Sequence, residues 1–414
     1  MTSRPFTLLH CADLHLDAVL GDSVRSSVSD DLTSEERVIL RDAPINALDR
    51  IGAAALDYNV DCVVIAGDIF DSRDNATKEQ RIRSRFTAFL TELCERNIDV
   101  VIALGNHDPV KSIQRLSKSW PRNVRIFSSQ QPETFLIERD GLHIALHGAS
   151  YATNDETRDL AAHFPNRIED AINVGVLHTN VGGDSNHSNY APSTISTLTS
   201  HHYDYFALGH VHKRHILSSS PHVAYSGNSQ GLSAKPSEQE AKGCAIVRID
   251  APSGHVESTF VETDSVRYIS CSLHAEDFLE EDDIITYAAN EIASLCSDED
   301  VLYLVRASID VFGSFDADEM CAAINDSRTN YFVTSLKTTS SYRSFEELIN
   351  HDPFFESVQN GLESVRSPSL EELYGSRAAT MSRYLADTAN DDIRDEAARV
   401  ILGVASHLAQ GLRS

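Results

Sequence analysis

Five short stretches of this chain place side chains with lone pairs or labile protons directly after apolar runs. "HCADLHLD" offers Asp13 and His15, "IAGDIFD" offers Asp68, and "ALGNHD" offers Asn106, His107 and Asp108. "GVLHTN" adds His178, and "ALGHVHKRH" adds His210 and His212. A Gly-Asn turn or a capping aspartate explains any one of these alone. Taken together they are imidazole nitrogens, carboxylates and an amide oxygen, a mixed donor set. It suits manganese, iron or zinc, and suits neither calcium nor a thiolate zinc site. Asp13 and His15 are two apart, as are His210 and His212, so extended chain turns each pair to one side. Asp13, His15, Asp68, Asn106, His178, His210 and His212 are too many ligands for one ion and suit two, with Asp68 as the bridge. Two cations about 3.5–4 Å apart clamp a phosphoryl centre during in-line displacement.

Strands must carry these groups. "FTLLHCAD", "DCVVIAGD" and "DVVIALGN" read as near-continuous apolar strands, as expected when helices or a second layer cover both faces. "LTSEERVILRDAPINALDRIGAAALDYN" between the first two has a helical apolar period and a capping box at Thr33 with Glu36. "ATKEQRIRSRFTAFLTELCERN" is the next helix, with Thr77 and Gln80 as its expected opening. "ETFLIERD", "LHIALHGASY", "INVGVLHTN" and "YDYFALGHV" are further strands, and "GCAIVRIDAPSGHVESTFVET" reads as a hairpin turning at Pro252, Ser253 and Gly254. The polar groups sit at the carboxyl ends of their strands, where ligands collect in α/β sheets. Glycines at 67, 105 and 209 allow sharp backbone turns there.

The expected organisation is a mixed-sheet α/β sandwich flanked by helices over residues 1–265, a small α/β capping domain over 266–343 and a helical region over 344–414. Hydrophobic residues at 41% and charged residues at 23% are ordinary for a soluble globular chain. A formal charge of −27 excludes non-specific binding to polyanions by net charge, so any DNA contact needs local basic patches or bound metal. Seven scattered cysteines without a C-x-x-C pair argue against a disulfide scaffold. No bilayer-length apolar run and no signal-peptide layout is present, so the expected location is the cytoplasm, without membrane contact.

Asp-x-His, Gly-Asp-x-x-Asp, Gly-Asn-His-Asp, a lone His after a strand, and Gly-His-x-His, in that order, resemble the calcineurin-like metallophosphoesterases. Within them the chain most resembles the SbcD-type DNA repair exonucleases, including their YhaO-like branch, firmly over about residues 6–265. The resemblance implies a manganese-dependent nuclease with two divalent ions. One is assigned to Asp13, His15, Asp68 and His212, the other to Asp68, Asn106, His178 and His210. It makes His107 the catalytic histidine beside the metals, with Asp108 expected to orient it. DNA is the implied substrate and an SbcC-type coiled-coil ATPase the implied partner, with a homodimer also open. A phosphoesterase for a small nucleotide or other phosphodiester is the competing activity.

Some relatives carry a second histidine where this chain has Asp71, which either holds water or His107, or ends the turn. Cys11 shares a strand face with Asp13 but reads as a core thiol. His143, His147, His201, His202 and His215 have no motif position. Arg115, Lys118 and Arg122, in the basic run from Lys111 to Arg125, are either phosphate contacts or a solvated helix face, and Lys213 and Arg214 are further phosphate candidates. From Ile393 a terminal helix puts Ala397, Val400, Ile401, Val404 and Leu408 on one stripe, which packs on its own chain or docks on the ATPase.

Overall fold

Strands that are apolar along most of their length can be buried on both faces, and the strands Phe6–Cys11, Cys62–Ala66, Ile172–His178 and Tyr205–Gly209 are buried at every position. The structure is a computed structural model that describes residues 4–20, 31–71, 76–183, 190–251, 253–276, 278, 280–312 and 315–341. In chain order the first part runs β1 (Phe6–Cys11), α1 (Ser34–Asp57), β2 (Cys62–Ala66), α2 (Ala76–Glu95), β3 (Asp99–Ala103), α3 (Val110–Ile113) and β4 (Val124–Ile126). It continues with β5 (Glu133–Arg139), β6 (Leu142–Gly148), β7 (Ile172–His178), α4 (Ile195–Thr199), β8 (Tyr205–Gly209), β9 (His215–Ser219), β10 (His222–Tyr225), β11 (Gly243–Asp250) and β12 (His255–Glu262).

Two six-stranded sheets result, in the orders β12-β11-β1-β2-β3-β4 and β5-β6-β7-β8-β10-β9. β1 to β4 are parallel, as are β6, β7, β8 and β10, with antiparallel strands at the margins. The period of two along each strand divides the core. Leu9, Cys11, Val63, Ile65, Val100 and Ile102 face Leu48, Ile51, Phe86 and Leu90 of the helices. Phe6, Leu8, Cys62, Val64 and Val101 instead meet Ile144, Leu146, Val174 and Val176 of the second sheet. Behind that sheet, Leu177, Phe206 and Leu208 pack on Leu160, Phe164 and Leu198. Each such side chain contributes about 1.5–3 kcal/mol by leaving water, so register is strongly held. The mixed-sheet sandwich expected from the sequence is the fold observed.

The Thr33 capping box closes as read: the Glu36 N–H donates to Thr33 Oγ1 at 3.2 Å, and the Thr33 N–H donates to Glu36 Oε2 at 2.7 Å. The opening of α2 differs, because the helix already includes Ala76, so Thr77 lies inside it and is not the cap. The 243–262 hairpin forms with Asp250 opposite His255. Lys111 to Arg125 is not one helix. It is α3, a 3-10 turn over Ser117–Ser119, and the edge strand β4, which pairs with β3. Pro121 lacks an N–H to continue a helix there. β4, β9 and β10 are short and were not expected. β9 is an edge strand with little burial, so its sequence has no two-faced apolar pattern to show.

The chain divides into two compact units: residues 1–269 with 298–304, and 270–297 with the chain from Val305 onward. The remaining elements are β13 (Val266–Ala275), α5 (Glu281–Leu295), β14 (Leu302–Phe312), α6 (Ala317–Asp326) and β15 (Tyr331–Ser341), in sheet order β13-β14-β15, the first residues of β13 and β14 belonging to the first unit. Ile284, Ala288 and Ile292 recur every fourth residue on the buried face of α5. Asp316 caps α6 through the N–H groups of Asp318 and Glu319. The helical region expected over 344–414, its terminal stripe included, lies outside the described residues.

Candidate metal centre

The parallel strands β1, β2, β3, β7 and β8 deliver their carboxyl ends to one place, and all the candidate donors lie there or in the loop that follows. Three donors, Asp13, His15 and His212, bring ligand atoms within 4.8 Å of one another, and so do Asp13, Asp68 and His178. Asn106 joins the second group, its Oδ1 3.0 Å from His178 Nε2, while Asp68 Oδ2 is 3.2 Å from the same nitrogen. His210 completes no such group among the described residues. Its N–H donates to both Asp13 oxygens at 3.0 and 3.1 Å, and its ring lies 5.1 Å from that of His178. Asp13 occurs in both groups, and Asp68, the expected bridge, lies in the second beside His178. Asp68 still acts on both sides, since its charge is felt by His178, His15 and His107.

The backbone is bent to make this possible. Asp13, His15, Asp68 and His210 have positive φ of 51°, 41°, 52° and 100°, a region that costs non-glycine residues energy and recurs at functional sites. Of the three site glycines only Gly67 has positive φ, at 96°. Gly105 and Gly209 serve by close approach: a Cβ on Gly105 would stand 2.3 Å from Asp68 Oδ1, and one on Gly209 would stand 1.9 Å from the Ala66 carbonyl oxygen. The expected sharp turn is therefore one reason for glycine out of two.

The expected support for His107 is Asp108, with Asp71 as one alternative; it is Asp71 that holds the ring. Its Nδ1 is 2.8 Å from Asp71 Oδ1. Asp108, expected to orient it, is buried and accepts the N–H of Ile69 at 2.6 Å and of Gly105 at 2.9 Å. Asp108 thus ties the two site loops together, and Asp71 is the carboxylate that reaches the imidazole. His107 Nδ1 is the atom engaged, which leaves Nε2 for a ligand.

Burial disfavours the charged form of His15, yet Asp71, Asp68 and Asp13 outweigh it and push the imidazole up to about 9. Burial likewise opposes charge on His178, but Asp68 pushes it up to about 9. For Asp68 burial is outweighed by His178, His15 and His107, which hold the carboxyl far below its usual range. Burial and then the Asp68 charge push Asp108 up to about 6. The cluster therefore calls for positive charge. Its geometry agrees: His15 Nε2 and His212 Nε2 face each other at 3.2 Å, an approach of two ring nitrogens that a shared cation satisfies. His15 Nδ1 is buried without a hydrogen-bond partner, 3.6 Å from Asp71. The donor set and this geometry fit divalent cations.

Supporting bonds set which ring nitrogen faces inward. His178 Nδ1 is 2.8 Å from the Ala66 carbonyl oxygen, so it donates there and turns Nε2 toward Asp68 and Asn106. His212 Nδ1 is bonded to Glu238, a residue that the sequence reading passed over. No motif marks Glu238, one of two glutamates in "KPSEQE", and nothing local separates it from Glu240. Cys11 is a core thiol packed toward the helices. His147 bonds Thr134 and Asn173, and His201 the Ala161 carbonyl, away from the donor groups.

Residues 6–214 match the model of the calcineurin-like phosphoesterase family, about half of the chain and every one of the five motif stretches. The chain belongs to this family. It is 32% identical over 246 residues to the uncharacterized metallophosphoesterase YhaO of Bacillus subtilis (strain 168), covering 59% of this chain and 57% of that protein. It is 24% identical over 283 residues to the DNA double-strand break repair protein Mre11 of Methanopyrus kandleri, covering 64% and 58% respectively. The chain thus spans a little over half the length of these curated relatives. A crystal structure of a dimetal phosphatase from Danio rerio aligns with 63% of this chain and 100% of its own at 11% identity, with a TM-score of 0.34. No helix among the described residues is long and apolar enough to cross a membrane.

Proposed function

We propose that this chain is a metal-dependent phosphodiesterase that cleaves DNA in repair as an SbcD-type nuclease, working with an SbcC-type coiled-coil ATPase in the cytoplasm. The observation that carries the reading is the convergence of Asp13, His15 and His212 with Asp68, Asn106 and His178 beside an imidazole held by Asp71. Asp13, His15, Asp68 and His212 would hold one ion, and Asp68, Asn106, His178 and His210 the other, manganese being our choice. When bound, such a pair supplies Lewis-acid polarisation of a phosphoryl group and a nucleophile at neutral pH. The chain's own groups supply the rest. Asp71 accepts from His107 Nδ1 and favours the charged imidazolium, whose Nε2 proton is then the one that can pass to the leaving oxygen. Asp68 Oδ1 accepts the His107 N–H at 2.9 Å, which fixes the loop carrying that ring.

The similarity to an Mre11 repair protein supports DNA as the substrate. Arg115, Lys118, Arg122, Lys213 and Arg214 are exposed and follow the site loops directly, so they are available to phosphates. In this reading residues 1–265 are the nuclease, 266–343 a capping domain and 344–414 a helical docking region. One observation favours a small phosphodiester instead: the −27 charge repels a long polyanion. A single comparison decides between them. Manganese-dependent release of nucleotides from duplex DNA is measured beside hydrolysis of bis-p-nitrophenyl phosphate. Cleavage of both supports the nuclease, and cleavage of the small ester alone overturns it.

A further inference from the structure

Glu238 lies outside every motif and outside the family match, yet its carboxylate reaches the donor cluster. It ends the 3-10 turn Pro236–Glu238, with its side chain only 8% exposed. Burying a carboxylate is unfavourable unless donors surround it. Here they do: Oε1 takes His212 Nδ1, while Oε2 takes Asn228 Nδ2 at 2.7 Å and the Leu232 N–H at 3.1 Å. Burial would raise this carboxyl, but the His212 imidazole holds it down to about 2.

The same segment grips His212 a second time, through its backbone. The Asn228 N–H donates to the His212 carbonyl oxygen at 3.2 Å, and the buried Lys242 Nζ donates to it at 2.9 Å. Ring and main chain are thus both fixed from residues 228–242, while the opposite ring nitrogen, Nε2, stands 3.2 Å from His15 Nε2 and 3.9 Å from Asp13 Oδ1. His178 in the neighbouring group is steadied by a neutral carbonyl, whereas His212 is steadied by a full charge. A carboxylate on one nitrogen makes the other more electron-rich and fixes its tautomer.

We infer that Glu238 is a positioning residue that holds His212 as the Nδ1–H tautomer, so that its Nε2 binds a divalent cation more tightly than an unsupported imidazole would. The inference rests on the metal-centre reading above. The test titrates manganese into the full chain stripped of metal, by calorimetry, for wild type, Glu238→Gln and Glu238→Ala. Imidazole ¹⁵N NMR reads the His212 ring in the same samples. The expected result is a loss of about 10–100-fold in affinity for one of two ions, together with loss of the single His212 tautomer. A merely structural Glu238 would lower the melting temperature and leave affinity and tautomer alone, which overturns the inference. Should the variants not fold, the wild-type spectrum still decides: a His212 ring without a hydrogen-bonded Nδ1 proton overturns it. A wild-type chain that binds no manganese removes the metal reading and this inference together. Two ions bound by wild type, with unchanged affinity in folded variants, removes the Glu238 role only.

Discussion

Asp13, His15 and His212 in the first unit, and His274, Glu276 and Asp310 in the second, are similar donors at similar spacing, each set within 4.8 Å. Their surroundings differ. The Asp13 side chain is fully buried, His15 is 3% exposed and His212 20%. In the second set His274 is 70% exposed, with Glu276 at 29% and Asp310 at 32%. Water can solvate the second set, whose imidazole Nδ1 lies 3.1 Å from Asp310. The first set cannot be left to water, and the fold arranges for that: residues held at positive φ, glycines without room for a Cβ, and hydrogen bonds behind the rings. Donor types at the right spacing are therefore not what separates a metal centre from a surface ion pair. The support behind them is.

The sharpest break of this comparison is at Asp68, whose charge acts on His15, His107 and His178 at once. Asp68→Asn should reduce phosphodiesterase activity to background and lower the number of bound ions, as read by elemental analysis. Full occupancy with activity retained would end the two-ion reading. A smaller effect is expected at the group beside the ligands. His107→Gln should keep the bound ions while turnover falls by about 100-fold or more, the scale of general-acid and electrostatic contributions. Loss of metal in that variant would make His107 a ligand.

Asp71→Asn tests support rather than chemistry. With the carboxylate partner of His107 Nδ1 removed, kcat should fall by roughly 10-fold, less than in His107→Gln, with KM little changed. A fall as large as that of His107→Gln would mean that Asp71 contacts substrate or metal itself. The smallest effect belongs to the exposed set. His274→Ala should alter neither metal content nor turnover, and stability by at most about 0.5 kcal/mol, as for other surface positions. A lost ion in that variant would show that exposure does not disqualify a cluster, and the comparison would fail.

Much of this molecule is written locally in its sequence. β1, β2 and β3 are legible because strands buried on both faces are apolar along most of their length, and α1 because Thr33 and Glu36 sit at capping distance. The donors are legible because Asp13, His15, Asp68, Asn106, His178, His210 and His212 each interrupt or follow such a strand. What the tertiary structure alone decided is who stands behind them. Asp108 is the neighbour of His107 in sequence, yet Asp71 takes its ring, because Asp108 is turned inward onto the N–H groups of Gly105 and Ile69. Glu238 reaches His212 from 26 positions away, along a loop with no periodicity to read. Gly105 and Gly209 are fixed by atoms of β2 and the loop after it, Asp68 and Ala66, rather than by turns of their own. Spacing along a chain determines which side chains share a face, since backbone geometry is local. Hydrogen bonds between distant loops depend on how the two sheets bring those loops together, and no local pattern encodes that.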